Sequence, residues 1–145
     1  MVKMKLYNSF NIKKKHKNSI ILIGNFDGLH LGHQKLFRLA KKYKKKYSSK
    51  IGVLTFEPMP KMFFNPNLKN FRLSNLNQKI ENLIKLNVDF VIIKKFDRKF
   101  SKTKSISFIK ETLGNKLSPK FIFVSNNFRF GNKREGNVNL SLIHI

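Results

Sequence analysis

Four short runs dominated by Ile, Val and Phe, at residues 19–23, 51–56, 90–93 and 121–124, have the length and composition of buried strands. Between them the apolar positions change period. Over residues 31–47, Leu36, Ala40, Tyr43 and Tyr47 recur at three- and four-residue steps while lysines fill the other positions, the pattern of an amphipathic helix. A second helix is predicted over 75–86, with Ser74 as candidate cap and Leu76, Ile80, Leu83 and Ile84 on one side. A third, shorter one is predicted over 105–113.

Strands that alternate with helices build a parallel sheet covered by helices on both faces, an α/β fold. Ligands in such sheets bind at the carboxyl ends of the strands. The segments that follow the strands are therefore the places to look for chemistry: 24–33, 55–60, 94–101 and 126–136. The chain has no internal repeat and no low-complexity linker apart from lysine-rich patches.

Composition narrows the reading. At 145 residues and 41% hydrophobic content the chain suits a single domain. It contains no cysteine, which excludes disulfides, thiolate zinc sites and a cysteine nucleophile and fits a reducing cytoplasm. Residues 1–17 are basic without the apolar run of a signal peptide, and no stretch approaches a membrane span, so a soluble protein with no membrane partner is expected. The formal charge of +24 would ordinarily suggest nucleic acid. Here the lysines are spread over nearly the whole chain, and Asn, Ile and Phe are abundant too, as an A- and T-rich coding sequence produces. Nucleic acid is accordingly not the expected partner, although a positive field still draws in small anions. Nothing in the sequence points to an oligomeric state.

The most informative segment is Gly24-Asn-Phe-Asp-Gly-Leu-His-Leu-Gly-His33, directly after the first predicted strand and at the opening of the first helix. A helix N-terminus offers free N–H groups and partial positive charge, which hold phosphate oxygens. His30 and His33, three residues apart, project from one side of that first turn and add donors. Gly24, Gly28 and Gly32 allow backbone and nucleotide to come close. The segment is neither a Walker loop nor the dinucleotide fingerprint. The histidine pair alone is a poor zinc site, and no metal ligands are assigned. Two histidines that merely cap or pack a helix start remain the plainer alternative.

His30-Leu-Gly-His33 is similar to the His-x-Gly-His signature of the nucleotidylyltransferases, and the longer string resembles the adenylyltransferase domain of the bacterial bifunctional riboflavin kinase/FAD synthetases. Val53-Leu-Thr-Phe-Glu-Pro-Met-Pro60, Arg72-Leu-Ser, Val88-Asp-Phe and Asn127-Phe-Arg-Phe-Gly131 resemble further family segments in the same order. The resemblance implies a Rossmann-like parallel sheet of the His-x-Gly-His type and transfer of AMP from ATP to FMN. ATP and FMN would be the substrates, with Mg2+ on the phosphates. Gly24, Asn25, Phe26, Asp27, Gly28, His30, Gly32 and His33 would bind ATP, His30 and His33 acting catalytically by stabilising charge on the phosphates. Asn25 and Asp27 would order the loop. Thr55, Pro58 and Pro60 would shape the flavin pocket with Asn127, Phe128 and Arg129, although Phe128 and Phe130 could equally be core residues.

Two positions depart from the family pattern. Met59 stands where His is common, between the two prolines, and Ser125 stands where Gly is common. The resemblance also implies a later Ser-Ser-Thr-x-x-Arg-like segment and a riboflavin kinase barrel, neither of which occurs in residues 1–145. The chain is therefore expected to be an adenylyltransferase domain incomplete at its carboxyl end, with the kinase domain absent. Residues 141–145 have no counterpart in the pattern, and His144 is given no role.

Overall fold

Five strands form one parallel sheet in a computed structural model that describes residues 4–26, 31–58, 63–65, 75–124, 129–130 and 136–137. They are β1 (Lys5–Tyr7), β2 (Ile20–Ile23), β3 (Ile51–Glu57), β4 (Phe90–Lys95) and β5 (Phe121–Phe123), in the order β1-β4-β3-β2-β5. All of β2, most of β3 and the first half of β4 are buried, which is why their sequences read as unbroken apolar runs rather than alternating ones.

The period of two along each strand still sorts side chains between the faces. Ile20 and Leu22 join Phe37, Ala40 and Leu83 beneath α1 (Leu31–Tyr47) and α2 (Leu76–Lys85). Ile21 and Ile23 join Phe90, Phe108, Leu113 and Leu117 on the opposite face. The expected α/β architecture, with helices on both faces, is the observed one.

Beginning at β2, the chain winds through α1 to β3 and through α2 to β4, then returns to lay β5 on the other side of β2. The order of connections reverses between β2 and β5. That reversal opens a crevice at the carboxyl ends of these strands, where α/β sheets take ligands.

Several boundaries differ from the sequence reading. Strand β1 was not predicted: it is an edge strand of three residues that pairs with β4 from Lys5↔Phe90 to Tyr7↔Ile92. The cap of α2 is Asn75, not Ser74. Its side chain accepts from Gln78 N–H at 2.9 Å while Asn75 N–H donates to Gln78 Oε1 at 2.8 Å, a closed capping box. Ile84 faces solvent at 51% exposure, and Lys79 takes a place on the buried side. A short helix, α3 (Arg98–Ser101), lies in the segment 94–101 after the third predicted strand, and the third predicted helix divides into α4 (Ser105–Ser107) and a π-helix over Phe108–Leu117. Its buried residues Phe108, Thr112, Leu113 and Leu117 recur at four- and five-residue steps, the repeat of a wider helix, so a 3.6-residue reading stops short. Residues 126–136, read as loop, include β6 (Arg129–Phe130), which pairs antiparallel with β7 (Gly136–Asn137).

Gly52 faces Phe90 across the β3–β4 register, and the Phe90 ring fills the space that a side chain at Gly52 would need. His16 stacks on the far side of that ring, with centroids 4.4 Å apart and planes at 25°. Its Nδ1 lies 2.6 Å from the Tyr7 hydroxyl, which also accepts Lys13 N–H at 3.1 Å. The hydroxyl thus has its proton free to donate to a neutral imidazole. Burial first, then the charges of Lys50 and Lys15, lower the His16 pKa from 6.5; Asp89 opposes this and Lys13 adds to it. A histidine held neutral binds fewer protons folded than unfolded, so its contribution to stability is present above about pH 6.5 and is lost as pH falls from there toward the lowered folded value. The urea midpoint should therefore drop between pH 7.5 and 5.5, and His16→Phe, which keeps a ring on Phe90, should flatten that part of the profile. An unchanged profile in the variant would assign the pH dependence elsewhere.

Candidate active site

The first turn of α1 points back to the crevice beside β2. Gly24 N–H donates to Leu54 O at 3.1 Å, so the segment leaving β2 is still tied to β3 when it turns. Phe26 adopts φ 50, a left-handed conformation disfavoured for an aromatic residue. Packing holds it there. Its ring is 1% exposed, lies edge-on to Phe37 at 5.5 Å and to His33 at 5.1 Å, and reaches back over Gly24. A Cβ at Gly24 would come within 3.2 Å of Phe26 Cζ, so glycine makes this close return possible. Phe26, expected at the nucleotide, therefore buries its side chain and steadies His33. Asn25 is exposed, and His33 is half-buried in the third position of α1. Non-glycine residues held in the left-handed region cluster at functional sites, where surrounding structure over-determines them.

The carboxyl end of β3 adjoins this turn. Thr55 is fully buried, and its hydroxyl donates to Asn25 O at 3.3 Å. Lys79 of α2, 1% exposed, extends its ammonium to Thr55 Oγ1 at 3.1 Å and to Glu57 Oε1 at 3.0 Å. Pro58, exposed, follows through a cis peptide. Next to it, Phe63 and Phe64 pack edge-to-face on Phe96 at 5.3 and 5.9 Å, and Phe64 is 55% exposed. These rings present an aromatic surface beside the strand ends.

Of the expected site residues, the structure brings together Gly24, Asn25, Phe26, His33 and Thr55; Pro58 directly follows β3, and Gly32 lies in the first turn of α1. Arg129 falls in β6. Asp27, Gly28, His30, Pro60, Asn127 and Phe128 lie outside the described residues, as do Met59 and Ser125. Sequence reasoning missed Lys79, Glu57 and the Phe63–Phe64–Phe96 group. A lysine on an amphipathic helix is ordinarily a solvated one, and only the neighbouring Thr55 and Glu57 reveal its place. A separate basic groove between α1 and α2, with Arg38, Lys41 and Lys85, contains none of the expected residues.

A parallel α/β sheet of Rossmann-like form, with a glycine-bearing turn after β2, belongs to the class of folds that take ligands at the switch point of the sheet. Comparison with known proteins specifies the family. The FAD synthetase family model matches residues 12–142, and the chain belongs to that family. It is 42% identical over 130 residues to the bifunctional riboflavin kinase/FMN adenylyltransferase of Buchnera aphidicola from Acyrthosiphon pisum, covering 90% of this chain and 42% of that protein. The corresponding protein of Haemophilus influenzae is 39% identical over 127 residues, covering 88% of this chain and 41% of its own length. The chain thus spans about two-fifths of the curated relatives it matches. Among solved structures, a macrolide-efflux protein from Streptococcus pneumoniae superposes with a TM-score of 0.81 at 23% identity, over 100% of this chain and 47% of that one, a likeness of fold.

Proposed function

We propose that this chain catalyses the FMN adenylyltransferase half of its relatives' paired activities, forming FAD and pyrophosphate from FMN and ATP. The observation that carries the reading is the junction at the sheet edge. The turn bearing Gly24–Phe26 and the strand end bearing Thr55 and Pro58 adjoin, joined by the Thr55–Asn25 hydrogen bond, so a nucleotide on the first and a flavin on the second would meet.

An FMN phosphate oxygen attacks the α-phosphorus of ATP, a P–O bond forms, and the bond to the bridging oxygen breaks to release pyrophosphate. FMN phosphate is already anionic, so the step needs no general base and no covalent enzyme intermediate. Positioning and charge stabilisation carry the rate. His33 at the N-terminus of α1, with His30, donates to the phosphates as charge moves onto the leaving group. Gly24, Asn25, Asp27, Gly28 and Gly32 form the turn around the triphosphate. Pro58, Pro60, Asn127, Phe128 and Arg129 serve the flavin side, and the exposed Phe64 offers a flat ring an apolar neighbour. Mg2+ would enter on the triphosphate and neutralise part of its charge. The absence of cysteine supports a reducing, cytoplasmic setting.

Incubation with FMN, ATP and Mg2+ should yield FAD and pyrophosphate in equal amounts, with FMN fluorescence quenched on binding. Binding of ATP without FMN, and turnover of a different phosphate monoester, would reject the flavin assignment.

A further inference from the structure

Lys79 is the least expected residue near the site. An ammonium withdrawn from water is costly unless it is paired and hydrogen-bonded, and burial by itself would be served better by an apolar side chain. Lys79 reaches two neighbours at once. Glu57 is the last residue of β3 and immediately precedes Pro58; Thr55 lies two residues earlier, on the same side of the strand. Thr55 accepts from the ammonium, which leaves its own proton directed to Asn25 O. The result is a continuous path from α2 through β3 to the turn after β2, with a branch to the residue before Pro58. Donor and acceptor alternate along it: Lys79 donates, Thr55 accepts and donates in turn, and the Asn25 carbonyl accepts.

We infer that Lys79 is a positioning residue that holds the nucleotide turn and the flavin-side strand end in register through Thr55 and Glu57. This inference rests on the reading of the edge as an FMN adenylylation site. At 1% exposure, Lys79 acts in this reading through Thr55 and Glu57 rather than on a substrate. It acts by setting the distance between two binding segments on different loops, which is the quantity that governs an in-line transfer between two bound phosphates. Small misplacements are expensive in such reactions. The expected signature is therefore a loss of productive alignment with the chain still folded.

The test uses Lys79→Met, Thr55→Val, Thr55→Ser and the Lys79→Met/Thr55→Val pair in the whole chain, each confirmed folded by circular dichroism. Lys79→Met and Thr55→Val should each lower kcat/KM for FMN roughly 10- to 100-fold. The double variant should be no worse than the poorer single one, because both break the same path. Thr55→Ser, which keeps the hydroxyl, should remain near the parent. Multiplicative losses in the double variant, or a Lys79→Met enzyme with parental kinetics and only a lower Tm, would overturn the inference. A second readout stands apart from activity: amide hydrogen exchange in ligand-free protein. Exchange at Asn25 and Phe26 should accelerate in both Lys79→Met and Thr55→Val relative to amides in the middle of β2 and β4. Uniform acceleration across the sheet, or none at Asn25 and Phe26, would count against the path. If the parent chain forms no FAD, the functional reading fails, and exchange still decides whether Lys79 orders the turn.

Discussion

Replacement of His33 by alanine should lower kcat for FAD formation by about 100- to 1000-fold and leave FMN binding nearly unchanged, the magnitude seen when one preorganised donor to a developing anion is removed. The expectation follows from where His33 is fixed. It lies in the first turn of a 17-residue helix whose N-terminus already favours anions, so its ring adds a donor to an existing concentration of positive potential. Phe26 packs against that ring at 5.1 Å and is itself locked by Phe37, so the imidazole is held before the nucleotide arrives and spends little on reorganisation. A donor of this kind acts mainly where charge accumulates, on the α-phosphate and the departing pyrophosphate, and so appears in kcat more than in FMN affinity. His33→Asn keeps a donor at shorter reach and should fall between the two. Retention of activity within about threefold in His33→Ala, a change of under 1 kcal/mol in the barrier, would leave His33 as a packing residue at a helix start.

The legibility of this site in the sequence was uneven, for physical reasons. Strands β2, β3 and β4 could be read because central parallel strands are apolar on both faces; edge strand β1, with Lys5 and Leu6 exposed, has no such signature. The turn after β2 could be read because its residue types are unusual together: closely spaced glycines, two histidines and a helix start directly behind. The resemblance extended that expectation to a flavin side, and the family it pointed to is the one whose model matches residues 12–142. What the pattern did not convey was direction. Thr55 was expected to shape the flavin pocket, and its hydroxyl bonds to Lys79 and Asn25 could not be read from the pattern. Phe26 was expected at the nucleotide, and it supports His33 from below. Lys79 was given no role, since a buried charge is recognised only from partners brought close by the fold, here 22 and 24 residues away along the chain.

Gly52→Ala should be the most destabilising single-methyl change in the described part of the sheet, costing about 3 kcal/mol, the upper part of the range for overpacking. In an ordinary strand glycine is the poorer residue, and alanine would gain roughly 0.5–1 kcal/mol through backbone entropy. The sign is reversed here by Phe90. An added Cβ would lie 2.1, 2.3 and 2.6 Å from three atoms of its ring, far inside contact distance. That ring has nowhere to move: Phe90 is fully buried, His16 stacks 4.4 Å away on it, and Tyr7 meets it edge-on at 6.0 Å. For a chain of this size the loss corresponds to a Tm lower by roughly 10 °C. Phe90→Leu in the Gly52→Ala background should recover part of it, with a coupling of at least about 1 kcal/mol in a double-mutant cycle, because removing the ring removes the clash. A neutral or stabilising Gly52→Ala would mean that Phe90 and His16 are free to shift. Gly52 stands near the amino end of β3, and Thr55 and Pro58 mark its other end, so the folded variant should retain the parental KM for ATP and FMN at temperatures well below its Tm. The two sets of contacts are thereby separated along one strand: the clash with Phe90 acts at its entry, and the Thr55–Asn25 and Glu57–Lys79 contacts lie toward its exit.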